Sequence, residues 1–69
     1  NADFVVTVAL IWRLPDWISA LLLDRAYIHL SETSRRHLAL QYILKVLWSE
    51  GVEMANAYLT ARKLDCLSI

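Results

Sequence analysis

The chain reads as all-α: a short N-terminal helical hairpin packed on one long C-terminal helix and completed as a dimeric helical bundle. Three observations lead there. The 69 residues are 58% apolar, against ~45–50% in an ordinary domain. They hold only one proline and one glycine, Pro15 and Gly51, as strong breakers. And a polar stripe at helical spacing runs through the C-terminal half. One domain, residues 1–69, accommodates this, and a chain so short buries only about 60% of the surface its unfolded form exposes. The apolar excess therefore calls for a covering partner.

The first segment, Phe4–Trp12, is rich in β-branched residues and has no clean period. It is assigned to a helix capped by Asp3, because no other segment reads as a strand able to satisfy its backbone; an intermolecular β-ribbon is the alternative. Leu14 precedes a proline and is pushed out of the helical region, so Pro15 or Asp16 opens a second helix, expected to run to about Leu30. That helix is apolar around most of its circumference, the mark of a buried one. Ser31-Glu-Thr-Ser34 then supplies capping residues for the next.

Beyond Ser34 the polar positions 41, 45, 49, 53, 56, 60 and 63 are spaced 4, 4, 4, 3, 4, 3, one continuous helical face. A glycine within a helix costs only about 1 kcal/mol, so the expectation is one helix from about Ser34 to Leu67. It would measure roughly 51 Å and need a partner along its apolar face. The alternative is a compact four-helix monomer broken at Gly51, with Leu47 and Val52 in a Schellman-type contact. Trp48-Ser-Glu-Gly-Val-Glu-Met-Ala55 resembles a W-x-E-G-Φ-E-x-A stretch of the rapamycin-binding domain of TOR kinases, where it lies inside a helix. The resemblance spans eight residues, implies continuity through Gly51, and carries no function with it.

The expected core is Trp17, Leu21, Leu23, Tyr27, Leu30, Leu40, Ile43, Leu44, Leu47 and Leu59. The expected partner contacts are Arg35, Arg36, Leu38 and Trp48. Two arginines in a first helical turn oppose the macrodipole and can dock an acidic partner; Trp48 falls at the margin of the polar stripe, where aromatic anchors of interfaces sit.

Other chemistry is sparse. Seven basic residues balance seven acidic ones, which lacks the basic footprint of a nucleic-acid binder. Arg13, Pro15 and Asp16 interrupt the apolar window Phe4–Leu23 and argue against a membrane span. His29, Glu32 and His37 have ligand chemistry but straddle a turn, so no metal is assigned. One glycine and few loops leave little material for an oxyanion hole, and no catalytic residue or cofactor is assigned. Cys66-Leu-Ser-Ile69 formally fits a prenylation box, with Ser68 and Ile69 poor matches. A lone thiol without a signal-peptide pattern favours an intracellular setting. The expected function is helical oligomerisation or protein–protein interaction without catalysis, the partner being a second copy or another helical protein. The alternatives are a designed or selected scaffold with no biological activity, and a membrane-associating amphipathic protein, disfavoured because the polar stripe is not rich in Lys and Arg.

Overall fold

The first ten-residue helix, α1 (Ala2–Ile11), is the centre of the molecule in this computed structural model, which describes residues 1–67. It packs against α2 (Asp16–Arg25), α3 (Arg35–Val46) and α4 (Val52–Ala61). Its β-branched content yields to packing: Val6, Ala9 and Leu10 are fully buried, and Thr7 satisfies its hydroxyl on the Asp3 carbonyl at 2.7 Å. Asn1, not Asp3, is the N-cap, its Oδ1 accepting the Phe4 N–H at 2.9 Å. No strand occurs among the described residues.

Three of the four helices end in the same way. After α1 the Leu14 N–H donates to the Ala9 carbonyl and Arg13 N–H to Leu10; after α2, Ile28 to Leu23 and Tyr27 to Asp24; after α4, Leu64 to Leu59 and Lys63 to Thr60. Each is a Schellman motif, with 6→1 and 5→2 bonds that capture orphan carbonyls. Glycine usually takes the left-handed position, yet here Arg13, Tyr27 and Lys63 hold it, at φ +51°, +58° and +59°. The residues that make each motif pack are apolar at both ends: Ala9 with Leu14, Leu23 with Ile28, Leu59 with Leu64, the first of each pair buried and the second packed against the core. Burial of that pair offsets the strain of a side chain at positive φ.

The single glycine does something else. Gly51 stands at φ +89°, ψ 178° as the residue before α4, a region open essentially to glycine alone. The helix expected over Ser34–Leu67 is therefore two helices joined by the turn Leu47–Glu50. The four-helix alternative describes the helices with one correction: Gly51 is the N-cap of α4, and no bond from the Val52 N–H to the Leu47 carbonyl closes a Schellman motif there. Continuity fails because the polar stripes of α3 and α4 fall into phase across a turn that the wheel cannot see, and Lys63 is past the end of α4. The molecule measures 30 × 26 × 20 Å with a radius of gyration of 10.7 Å, close to the ~11 Å of a compact chain this size.

The core differs from expectation on α2. Leu23, Leu40, Ile43, Leu44 and Leu59 are buried, and Leu30 and Leu47 pack at the rim. Trp17 (64% exposed), Leu21 and Tyr27 (90%) lie on the surface. Helix α2 buries only Ser19 and Leu23, and it stops at Arg25 rather than Leu30 because Tyr27 turns the chain. Val6, Ala9, Leu10, Ala39, Ala55 and Leu67 fill the space instead.

Candidate functional site

The four expected partner contacts do not form one patch. Arg36 is committed within the chain: its Nη2 and Nε donate to the two Asp3 carboxylate oxygens at 2.6 and 3.3 Å, and its Nη1 to the Asp65 carbonyl at 2.6 Å. This fork joins the starts of α1 and α3 to the segment after α4. Arg35 Nη2 donates to the carbonyl of Arg62, the C-cap of α4, at 2.8 Å. Arg35, which opposes the dipole of its own helix, thus serves the C-terminal end of another, where positive charge is favoured. Arg35 and Leu38 line a shallow groove of about 260 Å³ with Tyr58, Arg62 and Leu64. Tyr42 stacks on Tyr58 with centroids 4.7 Å apart, and the Arg62 guanidinium covers Tyr58 at 3.8 Å. Trp48 is half-buried in the turn after α3, about 18 Å along that helix from the arginines. That turn is held from the other side by Arg13, whose Nη1 donates to the Ser49 carbonyl at 3.2 Å.

His37 and Cys66 have local contacts, while His29 is exposed. His37 Nδ1 accepts the Ser31 N–H at 2.8 Å, fixing the loop before α3. Among the described residues no three of His, Cys, Asp and Glu converge on one point. Cys66 is exposed, with Sγ 3.5 Å from Thr60 Oγ1; Ser68 and Ile69 of the formal prenylation box lie outside the described residues. No described helix is long and apolar enough to cross a membrane.

What the fold leaves open is the outer face of α1 and α2. Of eleven large hydrophobic residues exposed among those described, seven fall between Phe4 and Tyr27. On α1, Phe4 and Ile11 are exposed and Val8 half-buried, and their i, i+4, i+7 spacing puts them on one stripe. On α2, Trp17 and Leu21 form an i, i+4 pair pointing outward. A groove of about 340 Å³, lined by Phe4, Val5, Val8, Leu22, Arg25 and Ala26, joins the two helices. On the other flank of α2 a cleft of about 380 Å³ lies against α3, with Trp17, Asp16, Asp24, His29 and Lys45 at its margins. The all-round apolar character of α2 predicts a buried helix, and the structure corrects this: the chain itself buries only Ser19 and Leu23 of it.

Comparison of the chain with protein-family models, with curated proteins and with solved structures finds no match.

Proposed function

We propose that this protein is a helical interaction module that self-associates through the outer face of the α1–α2 hairpin. The observation that carries the reading is the set of exposed rings and aliphatic chains along the α1–α2 hairpin, led by Phe4 (66%), Trp12 (72%) and Trp17 (64%). Taking roughly 200 Å² per aromatic side chain, these three alone leave about 400 Å² uncovered. A stable interface buries about 800 Å² on each partner, so the rings supply half of one before Ile11, Leu21 and Leu22 are counted. A second copy is the simplest occupant, because it presents an equal apolar face and covers both at once.

Sedimentation velocity across the micromolar range tests the reading. The expected result is a concentration-dependent dimer that dissociates on Trp17→Ser with Phe4→Ser, both surface positions whose loss leaves helicity intact. A stable monomer throughout refutes it.

A further inference from the structure

We infer that the two copies meet α2 against α2, antiparallel, about a two-fold axis at Leu21, with each Trp17 ring stacked on Arg25 of the partner subunit. The inference rests on the self-association reading and names the seam. Trp17, Leu21 and Arg25 stand at i, i+4, i+8 on α2, and all three are exposed. They form one ridge with an apolar centre, an aromatic face four residues before it and a cation four residues after. An axis through Leu21 sets Trp17 opposite the partner's Arg25, both about 6 Å from the axis along the helix. The ridge is then complementary to itself, as a two-fold interface requires.

Charge selects the antiparallel sense. Asp16 lies in the first turn of α2 and Arg25 in the last. Asp24 adjoins Arg25 and leaves the last turn without net charge, so the antiparallel sense is selected by opposed macrodipoles and by keeping each of these two charges away from its own copy on the partner. Parallel packing sets Arg25 beside the partner's Arg25 and ring beside ring. The only ion pair among the described residues is Arg36 with Asp3, so the Arg25 guanidinium has no carboxylate partner there and is available to a ring on a second copy. The α1 stripe of Phe4, Val8 and Ile11 carries no charge and selects neither register nor direction; it flanks the seam through the groove it shares with Leu22 and Arg25.

Sedimentation and cross-linking on the full chain test the seam. Leu21→Asp is expected to raise the dimer dissociation constant about 100-fold, through two lost leucine contacts and two apposed carboxylates, with unchanged far-UV circular dichroism. Trp17→Arg alone is expected to weaken the dimer, since it sets cation against cation. Trp17→Arg combined with Arg25→Trp is expected to restore it by exchanging the two members of the pair. Leu21→Cys in a Cys66→Ser background is expected to oxidise to a disulfide dimer, because residues on the axis come within the 4.4–6.8 Å Cα separation that a disulfide needs. A monomeric parent chain overturns both the seam and the self-association reading. A dimeric parent whose affinity survives Leu21→Asp, or whose Leu21→Cys form fails to cross-link, overturns the seam and leaves self-association standing.

Discussion

Replacing Gly51 with alanine is expected to destabilise the protein by about 2 kcal/mol, within the 1–3 kcal/mol of a residue forced into a disallowed backbone region. The structure locates the cost. A β-carbon at Gly51 meets nothing closer than Arg13 Nη2 at 3.6 Å, an ordinary contact, so the penalty arises from φ +89° itself. A domain this small holds roughly 3–10 kcal/mol in total, and each kcal/mol moves its midpoint by about 4–8 °C. Gly51→Ala should therefore lower the melting temperature by about 10 °C, read by circular dichroism at fixed protein concentration. A D-alanine at the same position, installed by chemical synthesis, isolates handedness from size. For a D-residue this backbone is the mirror image of the ordinary extended region, and restricting the unfolded chain should then stabilise the fold by about 0.5–1 kcal/mol. If L-alanine stabilises and D-alanine destabilises, Gly51 is inside a continuous helix and the four-helix architecture is wrong.

Other positions carry independent tests by urea denaturation. Tyr27→Gly should gain up to about 1 kcal/mol, because the left-handed conformation costs a side chain about 1–2 kcal/mol and glycine returns part of that as entropy; the ring is 90% exposed and contributes little packing. A loss would show that the Tyr27 side chain is held by something. Ser19 is fully buried with no partner for its hydroxyl among the described residues, so Ser19→Ala should stabilise by about 1 kcal/mol, the desolvation cost of an unmet polar group; destabilisation would reveal a bonded hydroxyl. Arg36→Ala should cost about 1–2 kcal/mol, discounted because the side chains of the Arg36–Asp3 pair are about a quarter exposed and exposed pairs are worth little. Asp3→Asn should cost less than Arg36→Ala, since the bond to the Asp65 carbonyl survives; equal losses would assign the whole effect to the ion pair.

The starts of the helices were more legible than their ends. Pro15 and Ser34 mark openings by fixed dihedral and side-chain acceptor, and both operate where expected: α2 begins at Asp16, and Ser34 Oγ accepts the His37 N–H at 3.2 Å. The stops were hidden because Arg13, Tyr27 and Lys63 are not residues that signal a left-handed turn. A signal did exist in the apolar pairs five apart, Ala9/Leu14, Leu23/Ile28 and Leu59/Leu64, each straddling one of those residues. Any leucine-rich chain contains such pairs by chance, so the pattern acquires meaning only with the boundary known. Continuity through Gly51 failed for a related reason, since periodicity measures phase and a turn can preserve it. At the candidate surface, the excess of apolar residues correctly signalled side chains that cannot all be buried. It could not say which helix would be left out, because Arg36 meets Asp3 across 33 residues of sequence and no local pattern encodes that meeting.

The division between inside and outside is what gives the apolar excess its meaning. Eleven hydrophobic residues are buried and eleven large ones are exposed among those described, and the buried set holds no aromatic residue while the exposed set holds five. Ala9, Ala39, Ala55 and Ser19 are buried, while Trp12 and Trp17 stand in solvent. Small residues at helix contacts let the backbones approach closely, and close-packed interiors leave no room for an indole. A core built this way cannot recruit its own tryptophans by a change of rotamer. They are covered from outside or not at all, and the proposed self-association is the arrangement that would cover them. Enlarging Ala9 to leucine would therefore not draw the outer rings inward. It would overpack the contact of α1 with its neighbours at a cost of about 1–3 kcal/mol and leave the α2 ridge as it is. The exposed α1–α2 face is thus a consequence of how the interior is made, and the two have to be changed together to cover those rings within the chain.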